Sequence, residues 1–312
     1  MCRIADTIED HPALGAADKR RLLAQWVAVL EGLAAAAPLC GELAGLAAPL
    51  PAGERALLSA VGRVLAGYQA LSPEARARIA HCVRVMSAGM AYFQAQAGPQ
   101  GLAEARLFDR YCYHVAGIVG ETLTGLWLAD GSLPAAHGAE LMRLAPSFGQ
   151  GLQMVNVLRD VPADRERGVC WLPRDVFAGD PEALLRPGDA LGRAGLAHLV
   201  AQAHGHLRNG LLYTLLLPRR AVALRRFCAW ALLTAAANLQ RIWQAGPGYD
   251  RRAARIDRVC LYRCLLLGAL AAGGRRRLRW AFEREAAGLP AAVPVSVDRR
   301  HRAIQAWFAA AG

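Results

Sequence analysis

The chain has 312 residues, 54% of them hydrophobic and 20% charged, with a mean hydropathy of +0.19. That composition excludes disorder and supplies ample material for a large core. The formal charge of +12 invites an anionic partner, but no zinc-finger spacing and no basic run interleaved with aromatics is present, which excludes nucleic acid.

From the N-terminus onward the pattern is helical. Ala/Leu/Arg-rich segments with a 3.6-residue period predict helices at about 18–36, 54–69, 73–97, 102–129, 137–161, 191–216, 219–244, 256–272 and 298–310. Pro/Gly clusters separate them: PLPAGE at 49–54, LSPE at 71–74, GPQG at 98–101 and DGSLPAAHG at 130–138. Alternating Val/Ile/Thr-rich stretches of strand length are missing, so the expected fold is all-α, in one domain spanning 1–312. The longest irregular stretch, 165–190, holds Trp171, Leu172, Val176 and Phe177, which predicts an ordered functional loop.

The apolar run VCLYRCLLLGALAA, residues 259–272, is interrupted by Arg263 and followed by GGRRRLRW. It is too short to span a bilayer and reads as a core helix with a solvated basic tail, with peripheral contact to anionic lipid as the second reading. The eight cysteines are scattered without a CxxC pair, and the N-terminus is acidic where a signal peptide would be basic and then apolar. These features predict reduced, buried thiols in a cytoplasmic protein, peripheral at the inner membrane if the lipid reading holds, and no structural zinc.

Two acidic stretches carry the chemistry. In CRIADTIED, Asp6 and Asp10 share one face of a helix, where like charges four apart repel. In GLQMVNVLRDVPADRERG, Gln153, Asn156, Asp160 and Asp164 fall within an arc of roughly 80° at 100° per residue. They lie among Leu152, Met154, Val155, Val157, Leu158 and Val161. Unpaired carboxylates in apolar surroundings are costly, so something cationic must face them. Three readings stand open: a solvated face, an ion-pair network with arginines such as Arg3 and Arg159, and a metal site. As a metal site, the all-oxygen donor set suits Mg²⁺ or Mn²⁺ with a diphosphate.

CRIADTIED, the QMVNVLRDVPAD stretch with its trailing RGVCWLP, and YCYHVAGIVGETLT at 111–124 together resemble the squalene/phytoene synthase family, in order and in separation. The resemblance covers residues 2 to about 270 and implies an isoprenoid-synthase-type helical bundle around a central apolar cavity. It implies Asp6, Asp10, Asn156, Asp160 and Asp164 as metal ligands, Gln153 lining the same site, Arg3 and Arg159 touching diphosphate, and Tyr111 assisting proton or cation handling. A buried tyrosine bonding a helix is the plain alternative for Tyr111. Met86, Met90 and Phe93 either line the lipid cavity or pack the core.

GVCWLPRDVF and CRIADTIED resemble squalene synthases more than plant-type phytoene synthases. The implied reaction is the Mg²⁺-dependent head-to-head condensation of two farnesyl diphosphates through presqualene diphosphate to squalene, with NADPH as hydride donor. Dehydrosqualene or phytoene formation without reduction is the alternative. A truncated, non-catalytic homologue that binds isoprenoid diphosphate is the alternative of another class.

Departures from the family pattern accompany the likeness. The resemblance implies an N-terminal helix and flap before the first motif, and the expectation from this sequence is a domain without them. His11 and Ala163 replace acids, Val169 replaces a basic residue for which Arg165 and Arg167 stand near, and Pro162 predicts a kink before Asp164. Arg255 and Arg258 read as solvated arginines, with a cofactor phosphate as their second reading.

Overall fold

The computed structural model describes residues 1–96 and 98–297. The described residues form helices and turns, with two isolated β-bridges and no strand. The chain divides into two compact units, Met1–Gln96 and the remainder.

The first unit holds α1 (Cys2–Glu9), α2 (Ala16–Leu30), α3 (Ala36–Gly45), α4 (Ala52–Ser59), α5 (Val61–Gln69) and α6 (Pro73–Gln94). α1 and α2 pack on each other and on α6. Ile4, Ile8, Leu22, Leu23, Trp26, Met86, Met90 and Phe93 are buried there. Met86, Met90 and Phe93 are thus core side chains of α6. The predicted helix 18–36 ends early because Gly32 takes a positive φ of 76°. The Leu33 N–H then reaches back to the Ala28 carbonyl at 2.8 Å, an αL stop that glycine allows. The predicted 54–69 helix breaks at Ala60, which lies outside the helical well at φ −103°, ψ 10°. At α6 the start is as the sequence reads: Ser72 caps the Ala75 N–H at 3.2 Å and Pro73 occupies the first turn.

The second unit holds α7 (Ala105–Cys112), a π-turn at Tyr113–Gly117, α8 (Ile118–Ala129), α9 (Gly138–Glu166), α10 (Ala190–Leu216), α11 (Val222–Ala245), α12 (Arg258–Ala271) and α13 (Arg275–Glu285). The predicted 102–129 helix is therefore interrupted, and a π-turn is a common companion of functional sites. α9 is the central element, packed on α8, α10, α11 and the π-turn. Close approach there depends on glycine: a Cβ on Gly149 would meet the Ala116 carbonyl oxygen at 2.3 Å. α9 continues through Pro162 to Glu166, so the helix carries Asp164 despite the missing N–H.

Three expectations are corrected. The 259–272 run is a surface helix: Val259, Tyr262, Leu266 and Leu270 are exposed, because only its other face has partners in α11 and α13. Of the thiols, Cys82, Cys112, Cys228 and Cys264 are buried, while Cys2, Cys40, Cys170 and Cys260 are only half-buried. The helix α3 forms between the predicted helices 18–36 and 54–69, and the basic tail expected to be solvated is itself the amphipathic helix α13, which buries Leu278, Ala281 and Phe282. The predicted helix 298–310 lies outside the described residues. Among the described residues, no helix is long and apolar enough to cross a membrane.

Candidate active site

In the first unit, α1 buries Ile4, Ala5, Thr7 and Ile8 and turns Asp6 and Asp10 to its other side, Asp6 half-buried and Asp10 exposed. Arg3 lies 3.9 Å from Asp6 and also pairs with Glu54 of α4. Burial pushes the Asp6 carboxyl up from 3.8 to about 6; Arg3 pulls it down and Asp10 pushes it further up. Burial therefore outweighs Arg3, whose guanidinium is shared with Glu54. His11, at the position of a family acid, is buried, with Nε2 2.8 Å from the Leu46 carbonyl oxygen. It holds the chain after α1 and adds no acidic donor.

In the second unit, α9 carries Gln153, Asn156, Asp160 and Asp164 between its buried apolar positions. Asn156 donates to Gln153 Oε1 at 3.5 Å. Asp160 is gripped by Arg159 at 2.6 Å and by Arg255 at 3.0 Å. Burial raises its pKa, but the two guanidiniums outweigh burial and hold it below the ordinary value. Asp164 is buried and paired with Arg167 at 2.5 Å, while Arg165 pairs with Glu182. The solvated-face reading is therefore corrected: this stripe sits in an arginine network. Arg255 is exposed, as read, and also pairs with Asp160; Arg258 is exposed as well.

Tyr111 is buried at the end of α7, and its ring stacks on Trp171 at 4.4 Å and 9°. The WLP turn and the YCY helix thus meet. The loop carrying Trp171 is pinned by main-chain bonds, Cys170 N–H to Gly98 O at 3.0 Å and Leu102 N–H to Leu172 O at 3.0 Å. Beside it, Asp164, Val157, Val161, Cys170, Trp171 and Leu172 help line a pocket.

α7 also carries Asp109, part of a buried polar cluster that the sequence reading missed. Ser147 Oγ is 2.9 Å from His206 Nδ1, and Asp109 Oδ1 lies 3.4 Å from His206 Nε2. Gln150 donates to Asp109 at 3.1 Å. The cluster ties α7, α9 and α10 together and so fixes the helix that carries Tyr111. Its members are spread over 98 positions of chain, and no local pattern links them. Glu121, inside the quoted GETLT, was also passed over; burial pushes its carboxyl to about 7, against a hydrogen bond with Tyr113.

Among the described residues, three metal-type donors lie within 4.8 Å of one another at Cys260, Cys264 and Glu285. There Arg263 already donates to both Cys260 Sγ and Glu285 Oε2. Neither acidic stretch alone supplies such a trio. The stretches still fit a hard divalent ion: every donor is oxygen, and burial of Asp6 outweighs the one guanidinium beside it.

The family model for squalene/phytoene synthase matches residues 1–260. Squalene synthase of Eremothecium gossypii is 32% identical over 197 residues, 61% of this chain and 44% of that protein. Phytoene synthase of Thermus thermophilus is 36% identical over 138 residues, 42% of this chain and 45% of that protein. The aligned region thus spans less than half the length of these curated relatives. In fold, the chain is similar to TcSQS bound to the ligand BPH1237, with TM-score 0.70, 22% identity, and coverage of 97% of this chain and 86% of that one. A dehydrosqualene synthase in complex with ligand gives TM-score 0.56 at 21% identity, covering 86% and 82% of the two chains.

Proposed function

The chain belongs to the squalene/phytoene synthase family, and from that premise we propose that it condenses two molecules of farnesyl diphosphate head to head, through presqualene diphosphate, to squalene. The observation that carries this reading is the half-buried oxygen-donor stripe of α9, flanked by Arg159, Arg255 and Arg167. Carboxylates and guanidiniums in one place suit a ligand that brings both cations and phosphate oxygens.

By the family likeness, Asp6 and Asp10 of the first motif and Asn156, Asp160 and Asp164 of the second would be ligands of Mg²⁺ or Mn²⁺, with Gln153 beside the second-motif ligands. When bound, the ion supplies Lewis-acid stabilisation of the departing diphosphate. Arg3 and Arg159 bind diphosphate oxygens as charge-assisted donors. Tyr111, held flat against Trp171, takes or returns a proton near the reacting carbons, which are cationic after ionisation. Apolar walls keep water from those carbons.

Squalene requires a hydride from NADPH; dehydrosqualene or phytoene does not. Relatives named for squalene and for phytoene synthesis keep both products in view. Incubation with farnesyl diphosphate and Mg²⁺, with and without NADPH, separates them by product. Diphosphate release should need Mg²⁺ and should fall at least a hundredfold in Asp160→Ala. Release unchanged in that variant would sink the proposal.

A further inference from the structure

The second unit presents an apolar face with no partner among the described residues. At 100° per residue, Val259, Tyr262, Leu266 and Leu270 of α12 fall within roughly 80° of one another. They are 78%, 66%, 61% and 60% exposed. Single exposed apolar residues are ordinary, but an aligned set is not. The helix cannot simply roll to hide them. Its opposite face is locked, with Cys264, Gly268 and Ala271 buried. A Cβ on Gly268 would lie 2.6 Å from the Trp230 ring, and Trp230 Nε1 donates to the Leu265 carbonyl at 2.8 Å.

The charge around the stripe is predominantly positive. Arg258 precedes it, and Arg275, Arg276, Arg277 and Arg279 follow it at the start of α13, all exposed. Between Ala190 and Phe282 the only acids are Asp250 and Asp257. Both cap main-chain N–H groups, Asp250 those of Arg252 and Ala253, and Asp257 that of Cys260, and they are outnumbered by the arginines. Farther along α13, Glu283 pairs with Arg208, and the buried Glu285 pairs with Arg263.

We propose that α12, with the basic start of α13, is a docking face for the surface of an anionic lipid bilayer, the helix lying in the interfacial plane. A lipid surface supplies what the face lacks: an apolar layer for the valine and leucines, a polar boundary for the Tyr262 hydroxyl, and negative headgroups for the arginines. A second copy of the chain would set like-charged arginines against each other, which disfavours it as occupant. The proposal is independent of the catalytic reading, and its readout is not activity.

The test is sedimentation of the full chain with vesicles of phosphatidylcholine alone and of phosphatidylcholine mixed with phosphatidylglycerol. Binding should require the anionic lipid and weaken as salt is raised. It should drop tenfold or more in Leu266→Ser/Leu270→Ser and again in Arg275→Gln/Arg277→Gln. All these side chains are exposed, so the circular dichroism of the variants should match the parent. Failure to bind either vesicle, or equal binding by the serine variant, overturns the proposal. So does a parent dimer that the serine variant converts to monomers without any change in lipid binding; that result assigns the face to a second copy.

Discussion

Replacing Glu121 by glutamine isolates the cost of one buried carboxylate. The residue lies on α8 with Oε1 shut off from solvent, and burial raises its pKa from 4.5 to about 7 although Tyr113 hydrogen-bonds it. Below pH 4.5 the acid is protonated folded and unfolded, and the group is neutral to stability. Between 4.5 and 7 the unfolded chain releases the proton while the folded chain keeps it. Stability therefore falls with rising pH, by about 1.4 kcal/mol per unit. Above pH 7 the loss levels off at about 3 kcal/mol, trimmed toward 2 by the solvent that reaches a half-buried residue. Glutamine has the shape of the neutral acid, still accepts from Tyr113 and does not titrate. Urea unfolding of Glu121→Gln and the parent at pH 5, 6, 7 and 8, followed by circular dichroism, should show a gap that opens in favour of the variant and then stays constant. A gap independent of pH, or one that favours the parent at pH 8, would refute the reasoning.

Arg255→Gln should lower kcat/KM for farnesyl diphosphate at least tenfold while changing unfolding free energy by less than about 1 kcal/mol, because Arg255 is 58% exposed and such pairs add little stability. Steady-state kinetics beside urea melts read both quantities. Gly149→Ala should destabilise by about 1–3 kcal/mol, since its Cβ would stand 2.3 Å from a main-chain oxygen of the π-turn and backbone must move. Trp171→Leu removes the ring stacked on Tyr111, costing about 1 kcal/mol of aromatic contact. Its kcat should fall further than global stability explains, and parallel losses would place Tyr111 outside the chemistry.

The helical class, the punctuation at Ser72–Pro73 and the polar stripe of α9 were legible because each is local. A period, a cap or a face is written within a few turns of one segment. Helix ends were read less well where a single conformation decides them. Gly32 stops α2, and the π-turn at Tyr113–Gly117 splits a run whose composition is evenly helical.

Sequence by itself determined which residues carry charge, which faces are apolar and the order of three motifs that together mark the family. Partners were left to the tertiary structure. Only the fold decided that Arg255 grips Asp160 across 95 positions of chain, that Trp171 stacks on Tyr111, and that Ser147, His206 and Asp109 join in one cluster. It also decided that the 259–272 run would face outward, because apolar periodicity shows that a helix has an apolar face but not whether another helix packs against it.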